Sequence, residues 1–129
     1  MECLECTFCN MTLGSDDTKF NFENKHGFVV RDNSPVSSGH SLIILKRHAL
    51  SFFELNPAER TSLFLLVEQA RSELDDTFKP DGYNIGINDG AVAGQTIPHL
   101  HIHLIPRYSG DMLDPSGGVR GVIPGKQKY

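Results

Sequence analysis

The chain has 129 residues, with twelve lysines and arginines against sixteen aspartates and glutamates, for a net charge of −4. That length makes one domain able to bury a core without disulfides, and the acidic balance excludes a broad basic surface for duplex nucleic acid. No apolar run is long enough for a membrane span, and Met1-Glu2-Cys3-Leu4-Glu5 lacks the basic and apolar regions of a signal peptide, so the expected compartment is the cytoplasm.

In chain order, Cys3, Cys6 and Cys9 come first and form two overlapping C-x-x-C pairs within residues 1–18. In a reducing cytosol such spacing favours metal binding or free thiols over disulfides. Leu13-Gly14-Ser15-Asp16-Asp17 reads as a connector. Lys19–Phe22 alternates, Glu23–Lys25 turns, and His26–Arg31 returns, which predicts a hairpin. Asp32–Gly39 is loop, and Ser41–Lys46 is a third strand apolar enough to be central. Asn56 reads as an N-cap, Pro57 as the first helical residue and Glu59 as the residue reaching back. Leu63, Phe64, Val67, Ala70 and Leu74 follow at helical spacing as one apolar stripe. After the stop at Lys79-Pro80-Asp81-Gly82, Tyr83–Asn88 is a fourth strand and the histidine-rich segment a fifth. The Pro- and Gly-rich residues 108–129 are expected to be an extended tail wrapping over a neighbour. The order predicts an α+β domain: an antiparallel sheet of about five strands with one long helix packed on it.

His99-Leu100-His101-Ile102-His103-Leu104 alternates with the strand period, so its three histidines should share one face, roughly 6–7 Å apart, with the leucines and isoleucine turned into a core. Immediately before it, the glycine-rich Asn88–Thr96 segment can bring backbone N–H groups close to an anion, with the Gln95 amide and Thr96 hydroxyl as further donors. Imidazoles beside such a cradle suit a phosphate ester. An unprotonated ring nitrogen can attack phosphorus and form a covalent intermediate, provided the other nitrogen donates its proton to a fixed acceptor. A neighbouring histidine can bind the phosphoryl oxygens or serve the leaving group. The residues alone do not decide which of the three attacks.

His99–Ile105 matches the His-φ-His-φ-His-φ-φ pattern (φ apolar) and resembles the histidine-triad superfamily. Asn88-Asp89-Gly90, Gly94-Gln95-Thr96 and Pro106-Arg107 are similar to that family's phosphate loop and strand end, and Asp32–Pro35, His40 and Lys46-Arg47-His48 fall at matching spacing. The resemblance implies a nucleotidyl hydrolase or transferase acting at the α-phosphate of a purine nucleotide conjugate. It assigns His101 as nucleophile, His103 to the phosphate and leaving-group side, and Asn88, Gly94 and Thr96 to the phosphate oxygens. Gln95 would orient the bridging oxygen, and Asp32 would hold the ribose hydroxyls, a role suited to a carboxylate. Phe20, Phe22 and Val30 are candidates for an apolar base slot.

Members with an amino-terminal C-x-x-C bind structural zinc, which by resemblance implies Cys6, Cys9, His48 and His99 as a closed Cys2His2 set, with Cys3 a bystander and no organic cofactor. His26 is expected at the surface and His40 packed near a strand start. The family also implies a homodimer whose two sheets join. Gly-Gln-Thr and Pro-Arg lean toward the branch that splits dinucleoside polyphosphates, with nucleoside phosphoramidates as the other candidate class. Two rival readings stand beside this one: a metal-dependent hydrolase with all three histidines on one ion, and a nucleotide-binding sensor without turnover.

Overall fold

The computed structural model describes residues 6–12 and 19–129. Cys3 and the Leu13–Asp17 connector lie outside the described residues. A short helix α1 (Thr7–Thr12) precedes strands β1 (Phe22–Glu23), β2 (Gly27–Arg31) and β3 (Ser41–Leu45). The long helix α2 (Pro57–Thr77), β4 (Gly82–Gly86) and β5 (His101–Arg107) follow. All pairings are antiparallel and the sheet order is β1-β2-β3-β5-β4. This is the expected α+β architecture. Helix α1 was not foreseen, and no described helix is long and apolar enough to cross a membrane.

Helix α2 starts as its first residues dictate: Asn56 accepts from the Glu59 N–H at 2.8 Å, Glu59 accepts from the Asn56 N–H at 3.0 Å, and Pro57 opens the first turn. Its buried stripe runs Leu63, Leu66, Val67, Ala70 and Leu74. Phe64 is not part of it. One residue on from Leu63 it points about 100° away, is 48% exposed, and rests against Phe52 with ring centroids 6.3 Å apart.

The strand period divides the sheet into two faces. Val29, Ile43, Leu45, Ile102 and Leu104 face α2. Phe28, Val30, Leu42 and Ile44 face the other way, under Cys6, Phe8 and Cys9. In register, His101 lies opposite Ile44 and His103 opposite Leu42, so both histidines stand on the face away from α2.

Several strand limits differ from the sequence reading, and four of them have a local reason. At β1 only Phe22 and Glu23 pair, because the Asn24 side chain closes the turn by accepting from the His26 and Gly27 N–H groups. Strand β3 stops at Leu45, opposite Gly27, the last pair of the β2–β3 ladder. Strand β4 stops at Gly86, whose partner His103 is the last residue of β5 that β4 reaches. Strand β5 starts at His101 and not His99: Pro98 has no N–H to give a ladder, and the His99 N–H turns back to the Ile97 carbonyl at 2.8 Å.

Candidate active site

A cavity of about 370 Å³ opens on the sheet face away from α2. His101, His103, Asp32, Asn88, Gly94 and Thr96 all line it. His99 does not reach it. Its ring is fully buried, with Nε2 at 2.5 Å from the Leu45 carbonyl and Nδ1 turned toward Cys6, Cys9 and His48. The three triad rings therefore do not share one ligand.

Hydrogen-bond partners fix the tautomers, since a carbonyl can only accept. His101 Nδ1 lies 2.8 Å from the His99 carbonyl and so carries the proton, which leaves Nε2 with a lone pair toward the cavity. His40 Nδ1 accepts from the Val36 N–H at 3.0 Å, so its Nε2 holds the proton and donates to His103 Nδ1 at 3.0 Å. His103 then carries its own proton on Nε2. Burial is the main cause that lowers the His103 pKa, helped by His101 and His40 and opposed by Asp32. Burial likewise lowers His40 against the pull of Asp32. Both stay neutral at pH 7, which agrees with the tautomers their partners impose.

His40 is thus more than packing near a strand start, because it sets the proton on the third triad histidine. In the sequence its one signal is the spacing that resembles the histidine-triad pattern. Asp32 Oδ2 sits 3.5 Å from His40 Nε2, and Oδ1 accepts from the Ser34 N–H at 2.8 Å. Asp32, His40 and His103 are close enough to suggest a metal group, but His40 Nε2 holds a proton there, so this cluster is a hydrogen-bond chain.

The Cys6, Cys9, His48 and His99 cluster has the opposite character. His99 gives its proton to Leu45 and turns a lone pair to the cluster, and burial holds its pKa down at about 4. A zinc tetrahedron with Zn–S about 2.3 Å and Zn–N about 2.05 Å has N–S edges of roughly 3.5 Å and an N–N edge of roughly 3.3 Å. The observed edges are 3.2 and 3.5 Å from His99 to Cys6 and Cys9, 3.3 Å from Cys9 to His48, and 3.3 Å between the two rings. These four residues could hold a metal ion, and the Cys9 N–H adds a backbone donor to Cys6 Sγ at 3.4 Å.

Several expected contacts resolve differently. The Gln95 amide does not face the cavity: it donates to the Leu50 carbonyl and accepts from the Gly90 N–H, each at 2.9 Å. The Ala93, Gly94 and Gln95 N–H groups close the loop on Gly90 and Ala91 carbonyls, with Gly94 at φ 95°, a conformation glycine adopts freely. The anion donors facing the cavity are therefore side chains more than backbone. Of the three base-slot candidates, only Val30 lines the cavity. Phe20 stacks on Phe28 at 4.1 Å and Phe22 packs on the α2 side. The apolar wall comes instead from Phe8 and Met11 of α1 with Leu42 and Ile97, and Phe8 also meets the His101 ring edge-on at 5.0 Å. Only the side chains of a helix absent from the sequence reading could have revealed that wall. His26 is half-buried and plays no part in the cavity.

Comparison with known proteins agrees with this geometry. The chain is 39% identical over 103 residues to a HIT-like protein of Mycoplasma genitalium, covering 80% of this chain and 73% of that one. It is 42% identical over 80 residues to the asymmetrical bis(5'-nucleosyl)-tetraphosphatase of Schizosaccharomyces pombe, covering 62% and 44% respectively. The fold matches a zinc-bound histidine triad family protein from Mycobacterium smegmatis with TM-score 0.78 at 29% identity, over 86% of this chain and 81% of that one. A family model described as HIT domain matches residues 14–110, so the chain belongs to the HIT family, and its intact triad supports that family's general nucleotidyl-transfer or hydrolase chemistry.

Proposed function

We propose that the protein hydrolyses a purine nucleotide conjugate at its α-phosphate through a covalent nucleotidyl-His101 intermediate. One observation carries the reading: the His101 Nδ1–H is held by the His99 carbonyl at 2.8 Å, which leaves the Nε2 lone pair facing the cavity. In the first step Nε2 attacks phosphorus, a P–N bond forms, and the bond to the leaving group breaks with its electron pair going to the leaving atom, which is protonated from water. In the second step water attacks phosphorus, the pair of the P–N bond returns to Nε2, and the nucleoside monophosphate departs. His103 donates from Nε2 to the phosphoryl and leaving-group oxygens, and its tautomer is held by His40. Asn88 and Thr96 donate to the remaining phosphate oxygens, with Gly94 giving clearance. Asp32 accepts from the ribose hydroxyls, and Phe8, Met11, Val30 and Ile97 take the base. Gln95 acts by bracing the phosphate loop on Leu50, as its two hydrogen bonds support.

Cys6, Cys9, His48 and His99 would hold a structural zinc, and as its ligands they would fasten α1, and with it Phe8 and Met11, to the residue whose carbonyl orients the nucleophile. Paired cysteines used in this way suit a reducing cytoplasm. The outermost strand β4, with Ile85 53% exposed, supports a homodimer formed by joining two sheet edges.

The test is turnover of adenosine 5'-phosphoramidate and diadenosine tetraphosphate by wild type and His101→Ala, with and without a chelator in the assay. The reading expects turnover that depends on His101 and survives short exposure to the chelator. Turnover by His101→Ala, or instant loss on chelation, favours a metal-dependent hydrolase, while nucleotide binding without turnover makes the protein a sensor.

A further inference from the structure

We propose that Asp89 is a positioning residue: its carboxylate docks the phosphate loop on residues 50–52, and that dock aims the Asn88 amide at the phosphate. The inference rests on the nucleotidyl-transfer reading of His101 and deepens it by naming what holds the phosphate donors in register with the nucleophile.

Nucleophile and donors belong to different segments. His101 stands on β5, whereas Asn88, Gly94 and Thr96 come from the 88–96 loop. Inside that loop the Gly90, Ala93, Gly94 and Gln95 N–H groups bond to one another's residues, which sets the shape of the loop but not its place. Among the described residues, the hydrogen bonds that leave the loop all end on residues 50–52. Asp89 Oδ2 accepts from the Ser51 hydroxyl and from the Phe52 N–H, each at 2.9 Å. The Gln95 amide donates to the Leu50 carbonyl at 2.9 Å. Both ends of the loop are thus fastened to one short segment.

That segment is rigid and tied to the catalytic strand. Glu54 accepts from the Leu50 and Ser51 N–H groups at 2.9 and 3.0 Å. The Ser51 hydroxyl, besides donating to Asp89, accepts from the Phe53 N–H at 3.1 Å. The Ala49 carbonyl accepts at 2.8 Å from the N–H of Leu100, the residue between His99 and His101. A continuous path of chain and hydrogen bonds therefore runs from Leu100 through residues 49–52 to Asp89, and so to Asn88 beside it.

Electrostatics alone predicts the opposite effect of this carboxylate. An anion one residue from a phosphate donor repels the phosphate, and the loop would bind it better without Asp89. Geometry reverses the sign. Neither Asp89 nor its two partners lines the nucleotide cavity, whereas Asn88 does. Hydrogen bonds to a charged oxygen are about twice as strong as neutral ones, and donors aimed at developing charge work because they are held in place beforehand.

The experiment follows adduct formation with adenosine 5'-phosphoramidate, and inhibition by AMP and by adenosine. The proteins are wild type, Asp89→Ala, Asp89→Asn, Ser51→Ala and Asn88→Ala, with the Asp89→Ala and Ser51→Ala changes also made on Asn88→Ala. Asp89→Ala should slow adduct formation about tenfold or more and weaken AMP, the effect of losing two charge-assisted bonds. Adenosine, which has no phosphate, should inhibit as it does in wild type. Asp89→Asn keeps an acceptor oxygen at the same reach and should recover most of the rate, and Ser51→Ala, which loses one bond of the two, should fall between. On Asn88→Ala, the loss from either dock variant should shrink to about threefold or less. Tighter AMP or faster adduct formation in Asp89→Ala would show a carboxylate that only repels, and overturns the proposal. An equal loss with and without Asn88, or adenosine weakened as much as AMP, overturns it as well. Should Asp89→Ala fail to fold, Ser51→Ala with and without Asn88 decides by the same comparison. Absence of an adduct in wild type overturns the His101 reading beneath, and the ratio of AMP to adenosine affinity then still decides the dock.

Discussion

Glu59→Gln tests whether the buried Glu59 carboxylate and its partner Arg47 contribute what their geometry implies. Glu59 is 4% exposed and binds Arg47 through Nε–Oε2 at 2.9 Å and Nη2–Oε1 at 3.0 Å, while also accepting from the Asn56 N–H. The hydrogen-bonded Arg47 guanidinium, opposed by burial and aided by Asn56, takes the Glu59 carboxyl from an ordinary 4.5 down to about 2. That difference corresponds to about 3 kcal/mol. Arg47 is 51% exposed, and water screening of its side reduces the expected contribution to about 2 kcal/mol. Because the folded pKa lies below the unfolded one, the contribution is complete above 4.5 and is lost as pH falls from there toward 2. Glutamine keeps the shape and the Asn56 bond but not the charge. Urea unfolding should therefore find Glu59→Gln about 2 kcal/mol less stable at pH 7, or roughly 6–10 °C lower in Tm for a domain of this size, with the gap closing between pH 4.5 and pH 2. A gap as wide at pH 2 as at pH 7, or none at pH 7, refutes the reasoning. Arg47 precedes His48, so the same variant should also loosen the metal cluster.

Four further outcomes follow from the site. Cys9→Ser should remove one of four ligands, lowering bound zinc by metal analysis and Tm by several degrees, and should weaken AMP binding because Phe8 and Met11 ride on the same helix; AMP affinity unchanged in the metal-free protein would disconnect the two. Asp32→Asn should raise KM for ribonucleotide conjugates by about tenfold, and 2'-deoxy conjugates should lose far less, since one charge-assisted hydrogen bond is at stake. His40→Phe should lower kcat by about tenfold by freeing the His103 tautomer. With His40 and His103 both lowered from 6.5, kcat/KM in wild type should hold level at pH 7 and fall only below 6.5; an acid limb centred above pH 7 contradicts those burial effects.

Much of the site is legible in the sequence where local chemistry decides it. The N-cap, Pro57 and Glu59 are read from four residues because a helix start is a local event. The alternation of His101 and His103 with Ile102 and Leu104 fixes their faces because a strand has one period. What escapes is what distant segments decide. Phe8 becomes a wall of the nucleotide cavity only because Cys6 and Cys9 meet His48 and His99, which requires the fold. Gln95 turns from the cavity because Leu50, forty-five residues away, offers a carbonyl. His40 looks like a strand-start residue until β5 brings His103 to within 3.0 Å of it. Phe22 misleads for the reverse reason: in an unbroken strand it would share a face with Phe20, but β1 begins only at Phe22, and Phe22 packs on the α2 side while Phe20 packs on the other.

The most direct test of the central claim is intact mass after rapid quenching, without acid, of wild type and His101→Ala mixed with an adenosine phosphoramidate. The account predicts a transient adenylyl mass on wild type that maps to the peptide containing His101 and decays at the rate of product release, and no such mass on the variant. An adenylyl group on any other residue, or full turnover with no adduct in either protein, would contradict it.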